Sequence, residues 1–530
     1  VVSLVHPNSV YDDANGGTLR KLLYPKLKMH FRFENELKLF REVGNAMKFG
    51  LNVYSNVEDN EFIAIFNLFA PYTIDECFEI DNVPVEGIKD DNDNWSVRGC
   101  KDRIIHVGAD ELKVFSNLFG DGKNDMETSL PIVHAQQLMS VMSCFEKQKR
   151  TFKDIEDDVC ATVMFEETGS QLEGLMKRDV HYPSTPSDTV YSGPHIGVAC
   201  PIYQNSQENC PSHRAFDKID LTDISEDYIQ RINYMPGRKN VEYERKLPIT
   251  NWGSSYLSEY RIAMRKMLNR SGERTLLPAI IAPQTSHIDG IFSMAMKNDL
   301  VLNAGVMASL PYDFFVKIAG KANIRFDIVS HFPLISDSKY REDIVVRCLL
   351  LNCLNKYYSE LWQDNYRPSF KECCWTKKDV RLNNKIYESL GALWDWNTPL
   401  RVDYSRRQAL VELDVLVSMA LGMTCDQLKT IYRIQFPVLK QYEADTWYDS
   451  QGKIVFTSNR SLTGVGLSRQ EWEKIKDYTE GEVAQIISDD TLPSGKREKK
   501  LIYKAPFDRC DREKDYDDAW KAFETKYAGR

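Results

Sequence analysis

Hydrophobic spacing in the first 55 residues predicts strands alternating with a helix. An apolar, β-branched run at residues 1–5 is typical of a buried strand. Leucines then recur at helical spacing over residues 19–28, and Thr18 is a favourable cap for that helix. Two more strands are predicted at residues 30–34 and at Lys48–Tyr54. This order indicates an α/β unit, which many unrelated folds share.

The rest of the chain predicts a mixed α/β protein that becomes mainly helical in its last third. Residues 160–335 combine short β-rich runs with turns and one amphipathic helix at about 255–269. Further helices are predicted at 131–145, 340–363, 404–421 and 424–434, a hairpin at 447–456 and a last helix that begins at Arg469 and is capped by Ser468. The expected domains are residues 1–65, 66–159, 160–335 and 336–490, followed by a charged tail at 491–530.

Composition is that of a soluble globular protein. The 530 residues are 42% hydrophobic and 27% charged, and no apolar run approaches the roughly 18 residues of a membrane span. The first residues lack an initiating Met and a signal-peptide layout, so the sequence reads as a fragment or a mature start. Twelve cysteines without a Cys-x-x-Cys pair argue against a zinc ribbon and indicate reduced thiols. We therefore expect a cytoplasmic protein with no membrane partner and no metal.

Charge is segregated along the chain. The net charge of −9 offers no general attraction to nucleic acid. Residues 231–275, however, hold ten basic and four acidic side chains, a local charge of +6. Residues 57–93 hold eleven acidic side chains and one lysine. A protein with one DNA-facing side would show this division, and a merely solvated surface could show it too.

A series of short motifs runs in order along the chain. The early ones are His6-Pro7-x-x-Val10-Tyr11-Asp12-Asp13-x-x-Gly16-Gly17-x-x-Arg20, Phe31-x-Phe33-x-Asn35-Glu36-Leu37-x-Leu39-Phe40, Lys48-Phe49-x-x-Asn52-Val53-Tyr54 and Asn67-Leu68-Phe69-x-Pro71. The later ones are Ser192-Gly193-Pro194-His195, Gly272-Glu273-Arg274-Thr275-Leu276, Arg406-Arg407-Gln408-Ala409-Leu410, Tyr442-Glu443-Ala444-Asp445-Thr446-Trp447 and Gly464-Val465-Gly466-Leu467. Together they resemble the region after the catalytic motif of large adenine-specific DNA methyltransferases, the type IIG-like restriction-modification and DISARM-like phage-defence enzymes.

The resemblance covers most of the chain and implies an architecture. Residues 1–65 would be the last strands of a class I methyltransferase sheet, in which the final strand runs antiparallel to an otherwise parallel sheet. Residues 160–335 would be an α+β target-recognition domain for double-stranded DNA, and the helical region would follow it. Members of this family flip the target adenine out of the duplex and stack it between aromatic rings. By that resemblance Phe49 is the candidate for one ring, with Tyr54 behind it; the alternative is that both are sheet-core aromatics.

The chain departs from the family in lacking its chemistry. The methyl donor of the family, S-adenosylmethionine, binds a glycine-rich loop, and an Asn/Asp-Pro-Pro-Tyr/Phe turn polarises the target amine. This chain has no Asn-Pro-Pro or Asp-Pro-Pro sequence. Its two Gly-x-Gly sequences, at residues 120–122 and 464–466, lack a strand-loop-helix context and are interpreted as turns. The resemblance therefore places the cofactor and the catalytic residues in an upstream half, on the same or a separate chain, and none of them here.

DNA contact is predicted for the basic residues of the recognition region. On a helix Arg261 and Arg265 would share a face, and arginine can bridge two phosphate oxygens or read guanine. The full candidate set is Arg261, Arg265, Lys266, Arg270, Arg274, Lys317, Lys321 and Arg325. Phosphate contact is favoured, because most protein–DNA hydrogen bonds go to the backbone. For Arg274 an ion pair with Glu273 is the alternative.

Other candidate chemistry is weak. His287, among apolar residues, is interpreted as a packing histidine rather than a catalyst. Asp403, Glu412 and Asp414 could suggest a metal-dependent nuclease, but the last two fall on a predicted helix and no Glu-x-Lys arrangement accompanies them. Two hypotheses stay open. The chain is the DNA-recognition part of a methyltransferase, or it is a non-catalytic DNA-specificity or scaffold subunit that joins other subunits of a defence complex.

Overall fold

The computed structural model describes residues 1–59, 61–120, 124–212, 214–237 and 245–529. It is a mixed α/β structure, 37% helical and 21% strand, with several small sheets and a helical C-terminal region. This confirms the predicted fold class. One large hydrophobic cluster, with members from Tyr11 to Tyr527, runs through the chain. The predicted domain boundaries stay a prediction.

The first sheet contains five strands within the described residues. They are β1 (Val2–Pro7), β2 (Leu27–Glu34), β3 (Lys48–Tyr54), β4 (Phe62–Leu68) and β5 (Ile105–Val107), in the spatial order β1-β3-β2-β4-β5. β3 runs antiparallel to both β1 and β2, while β2 and β4 are parallel. The expected antiparallel strand is therefore present at the predicted residues, but the sheet is not otherwise parallel, because β5 is also antiparallel to β4. β1 is not buried as predicted, because it lies at the sheet edge and most of its side chains face solvent.

Short helices cover this sheet. They are α1 (Ser9–Asp12), α2 (Gly17–Leu23), α3 (Tyr72–Glu79), α4 (Ala109–Phe119) and α5 (Leu138–Glu146). The helix predicted at 19–28 ends at Leu23, and Pro25, which has no N–H, lies in a 3-10 turn after it. The helix predicted at 131–145 begins only at Leu138. Before that residue the backbone bonds elsewhere, as when Ile132 N–H donates to the carbonyl of Ile318 at 2.7 Å.

The middle of the chain is built from short strands. They are β6 (Val159–Thr162), β7 (Met176–His181), β8 (Val190–Tyr191), β9 (Gln204–Ser206), β10 (Phe216–Lys218), β11 (Ile232–Pro236), β12 (Arg261–Arg265), β13 (Pro278–Ile281), β14 (Ser286–His287) and β15 (Ile291–Met296), with helix α6 at Glu167–Leu172. β12 lies between β13 and β15 and is antiparallel to both. The helix predicted at 255–269 is therefore wrong. The residues of β12 pair with a strand on each side, and these long-range contacts override the local helical spacing.

Helices dominate after β15. They are α7 (Leu300–Met307), α8 (Leu310–Ala319), α9 (Phe326–Val329), α10 (Arg341–Asn352), α11 (Ser359–Asn365), α12 (Lys385–Glu388), α13 (Asp403–Ala420), α14 (Cys425–Gln435) and α15 (Pro437–Ala444). α13 and α14 match the predicted helices to within one residue at each end. The helix predicted at 340–363 is interrupted after Asn352. The side chain of Asn355 there accepts from Tyr357 N–H at 3.1 Å and donates to the carbonyl of Tyr228 at 2.9 Å, which starts a new turn.

The last residues are part of the fold. They form β16 (Thr446–Tyr448), β17 (Ile454–Thr457), α16 (Arg469–Trp472), β18 (Glu482–Asp489), β19 (Arg497–Lys504), β20 (Asp508–Arg509) and α17 (Arg512–Tyr527). The predicted hairpin is present as β16 and β17. α17 packs on α13, where Tyr516 donates to the buried carboxylate of Asp414 at 2.7 Å. The segment expected to be a charged tail is thus held by buried polar contacts. None of the helices in the described ranges has the length and apolar character needed to cross a membrane.

Candidate nucleic-acid interface

The carboxyl ends of β1, β2 and β4 lie along one edge of the first sheet. β1 and β2 both run antiparallel to β3, and β4 is parallel to β2, so the three strands point the same way. Ligands of α/β sheets bind outside this edge. Glu34 ends β2 there, directly across from Lys48 at the start of β3. We use the name carboxyl edge for this end of the sheet.

Phe49, the candidate base-stacking residue, lies at the carboxyl edge. It is half-buried and stacks face to face on Phe33, with ring centroids 5.2 Å apart, while Phe40 meets it edge-on at 4.8 Å. Tyr54 does not lie behind Phe49 as predicted. The two are five residues apart on one strand, which separates them by about 17 Å and places them on opposite faces. The stacking of a flipped base on Phe49 stays a prediction.

A hydrogen-bonded network occupies the face opposite Phe49. Asn52 is fully buried; its Nδ2 donates to His6 Nε2 at 3.0 Å, and its Oδ1 accepts from His30 Nδ1 at 2.7 Å. The Tyr54 hydroxyl lies 3.1 Å from His6 Nε2, and the hydroxyls of Tyr11 and Tyr54 are 2.7 Å apart. Burial lowers the pKa of His30 to about 4, so this imidazole is neutral at pH 7. The network fixes β1, α1 and β3 relative to one another.

Two arginines converge on Glu34 at the carboxyl edge. Arg32 donates through Nη1 to Glu34 Oε1 at 3.0 Å, and Arg270 donates through Nη2 to the same oxygen at 2.7 Å. Burial by itself raises the pKa of Glu34, but Arg270 and Arg32 outweigh it and lower the pKa to about 2. Because Arg270 follows β12, this contact joins the first sheet to the predicted recognition region.

Sequence reasoning missed Arg32 and Glu34. The available signal was the polar alternation His30-x-Arg32-x-Glu34 in a strand whose other positions, such as Phe31 and Phe33, are apolar. Since side chains alternate between the two faces of a strand, these three residues share one face. A fully buried polar face of this kind needs internal partners, and only the tertiary structure identifies them.

The two arginines of β12 are turned inward. Arg261 is fully buried and donates to the carbonyls of Ala282 at 2.9 Å and Thr285 at 2.8 Å. Arg265 donates to the carbonyl of Ile196 at 2.7 Å. Residues four apart share a face of a strand as well as of a helix, and here that face packs on protein. The predicted exposed helix face is therefore corrected to a buried strand face, and in this conformation Arg261 has no surface with which to reach a phosphate.

Three further candidate DNA contacts also have internal partners. Lys266 pairs with Asp289 at 2.6 Å. Arg274 pairs with the buried carboxylate of Asp313 at 2.6 Å, and not with Glu273 as the alternative prediction had it. Burial lowers the pKa of Lys317 to about 8, and its ammonium donates to the backbone carbonyls of Arg270 at 3.0 Å and Gln435 at 2.9 Å. These side chains stabilise the junction between β12 and the helices, and Arg270 does the same for the first sheet.

Lys321 and Arg325 remain at the surface. Arg325 is exposed at the start of α9, and Lys321 is partly exposed. Lys321 lines a cleft of about 520 Å³ together with Lys153, His331 and the carboxylates Glu127 and Glu156. Neither has an ion pair among the described residues, whereas Arg270, which is also partly exposed, pairs with Glu34. Arg238, Lys239, Glu242 and Glu244 of the basic stretch, and Asp121 and Gly122 of one Gly-x-Gly sequence, lie outside the described residues.

The remaining candidates have structural roles. His287 is fully buried and its Nε2 lies 2.6 Å from the hydroxyl of Ser293, as expected for a packing histidine. Glu412 pairs with Arg347 at 2.6 Å and Asp414 pairs with Arg512 at 3.2 Å, both inside the protein. No group of three or more His, Cys, Asp or Glu side chains in the described part of the chain is arranged to hold a metal ion.

Comparison with known proteins found a likeness among solved structures alone. No family model matches the chain, and no curated protein matches it. Among solved structures, the type IIG restriction endonuclease BpuSI aligns with 78% of this chain and 47% of its own, at 11% sequence identity and a TM-score of 0.22. The chain thus spans about half the length of that enzyme. A TM-score this low establishes neither a shared fold nor a shared function.

Proposed function

We propose that this chain is the DNA-recognition portion of a site-specific adenine DNA methyltransferase of a bacterial restriction-modification or phage-defence system. The observation that carries the proposal is β3, which lies antiparallel between β1 and β2. The motif resemblance predicts such a strand at Lys48–Tyr54, with an aromatic residue at its start, and Phe49 lies there at the carboxyl edge. Pattern and topology, which are independent observations, agree at the same residues.

The free edge of β1 supports a protein partner for this sheet. In the described residues β1 pairs only with β3, and Val2, Leu4 and Val5 are each about half exposed. An exposed apolar edge strand is a template for another strand. The proposed occupant is the catalytic half of the methyltransferase, supplied by the same or a separate chain.

The described residues do not fit the methyl donor, S-adenosylmethionine. A cofactor loop leaves open space above its glycines, whereas a Cβ on Gly466 would lie 2.4 Å from the carbonyl oxygen of Val455. Gly464 and Gly466 both have positive φ and follow a 3-10 turn rather than a strand. They are turn glycines, as the sequence predicts. We therefore assign no step of methyl transfer to this chain and place donor binding in its partner.

Duplex binding tests the recognition role. We expect the purified chain to bind a pool of labelled duplexes, with affinity that falls steeply with salt because bound cations displace counterions from the phosphates. Replacing Lys321 and Arg325 with alanine should weaken binding about tenfold and reduce the salt slope by about 2. The matched control is alanine at Lys514 and Lys521, two exposed cations of α17. No duplex binding at low salt, or equal losses in both variants, would contradict the proposal.

The coding sequence upstream of Val1 tests the methyltransferase part. A glycine-rich loop and an Asn-Pro-Pro-Tyr-like turn in the same frame would identify one enzyme, and a stop codon would indicate a separate subunit. The chain joined or mixed with that upstream half should then transfer labelled methyl groups to adenine in DNA. Absence of label in every DNA tested would exclude the methyltransferase function and leave a specificity or scaffold subunit.

A further inference from the structure

Arg32 carries two unpaired donors in the interior of the protein. Its side chain is fully buried, and Nη1 donates to Glu34, but Nε and Nη2 have no hydrogen-bond partner among the described residues. These two N–H groups lie on the same side of a guanidinium and form a fork that matches two oxygens of one anion. Buried donors without partners are rare, because each costs the free energy of its lost hydration.

Two further cations, Lys48 and Arg270, surround Arg32, and Glu34 is the carboxylate bonded to the two arginines. Lys48 lies on the same face of the sheet, across from Glu34, and its ammonium makes no hydrogen bond or ion pair within the described part of the chain. Arg270 reaches Glu34 from the other side, with its side chain about 15% exposed. Glu34 is thus the carboxylate shared by the two arginines next to Lys48.

Other charged and polar groups complete this environment. Asp12 also faces Arg32 and Lys48, at longer range, and its carboxylate accepts from Asn8 Nδ2 at 2.6 Å. Glu36 lies near Glu34 and Arg270. Burial, and then the positive charges of Arg270 and Arg32, lower the pKa of Lys48 to about 8, because they disfavour the charged form of its amine. Asn8 Oδ1 and His30 Nε2 are also buried without hydrogen-bond partners among the described residues.

We infer that Arg32, Lys48 and Arg270 form a binding site for an oxyanion of the phosphate class at the carboxyl edge. The Arg32 fork binds two oxygens, and Lys48 and Arg270 bind from the solvent side, where their side chains are partly exposed. A fork of two parallel N–H groups selects a polyatomic oxyanion over chloride. The inference does not depend on the proposed function, because free phosphate and a phosphodiester of DNA offer the same two oxygens.

Calorimetric titration with inorganic phosphate at pH 7 tests the site, with chloride at matched ionic strength as the reference. We expect saturable binding of phosphate that Lys48→Gln weakens at least tenfold. The control is Lys28→Gln, which lies on β2 with Arg32 but near the other end of that strand, where Lys28 pairs with Asp59 at 3.2 Å. Binding should also weaken as the pH rises through about 8, where Lys48 loses its charge.

Selenate in crystals of the whole chain locates the anion directly, without a variant of the buried Arg32. Anomalous signal within hydrogen-bond distance of Arg32 Nε and Nη2 is expected. A short duplex added to the titration distinguishes the sources: competition with phosphate identifies a DNA phosphodiester, and its absence identifies free phosphate. Phosphate binding no different from chloride would mean that water fills the site and would overturn the inference. So would saturable binding that both Lys48→Gln and Arg270→Gln leave unchanged.

Discussion

Glu412 offers a sharp test of the internal ion pairs in the helical region. It is fully buried on α13, where Arg347 donates to its Oε2 through Nε at 2.7 Å, and Thr376 N–H and hydroxyl donate to its Oε1 at 2.8 and 2.7 Å. Arg347 is also fully buried, and it pairs with Asp343 at 2.7 Å. Removing one partner of a buried ion pair costs about 3–5 kcal/mol, because the other charge is left uncompensated. Since Asp343 remains, we expect Glu412→Gln to cost about 3 kcal/mol.

A double-mutant cycle in urea, followed by tryptophan fluorescence, measures this effect. The variants are Glu412→Gln, Arg347→Met and the two combined. Each single variant should lower the free energy of unfolding by about 3 kcal/mol, and the pair should lose at least about 1 kcal/mol less than the sum, since no unpaired partner is left. The control is Glu388→Gln, an exposed glutamate expected to change stability by less than about 0.5 kcal/mol. Additive losses, or a loss below about 1 kcal/mol for Glu412→Gln, would refute the reasoning.

Two further predictions concern acid and the turn glycines. Burial lowers the pKa of His30 and His195 to about 4 and that of His134 and His287 to about 3, whereas histidine in the unfolded chain titrates near 6.5. The unfolded state therefore gains protons first, so the melting temperature should fall as the pH drops from about 6.5 to 5; a flat profile there would contradict this. Gly466→Ala should destabilise by about 2 kcal/mol or more, because φ is +75° and the new Cβ meets Val455 O at 2.4 Å. Gly464→Ala, with φ of +85° and open space, should cost about 1 kcal/mol, and equal losses in thermal unfolding would count against this reading.

Elements with strong local signals were predictable from the sequence. β3 has its predicted bounds, and α14 begins after Thr424, whose side chain accepts from Gln427 N–H at 3.2 Å in a capping box. Such signals depend on neighbours within one turn or one strand, so they survive any tertiary arrangement. The antiparallel direction of β3 followed from the motif resemblance, and periodicity alone did not predict it.

The candidate site was less predictable. The sequence predicted a cationic cluster at residues 231–275, but residue type alone does not determine whether a cation is exposed to solvent or bonded inside the protein. Arg270 pairs with Glu34, 236 residues earlier in the chain. Arg261 donates a hydrogen bond to the carbonyl of Ala282, directly after β13. Lys321 and Arg325 remain accessible because the connection between α8 and α9 lies at the surface.

The sequence by itself determined that this is a mixed α/β chain, with strand β3, its best-capped helices and its order of motifs. The tertiary structure decided which apolar and charged residues are inside. β1 is apolar yet exposed, because among the described residues it has a neighbouring strand on one side only. Arg261 is charged yet buried, because the carbonyl oxygens of Ala282 and Thr285, more than 20 residues later in the chain, replace water around it. Burial depends on contacts between residues far apart in the chain, and a local pattern of polar and apolar residues does not predict those contacts.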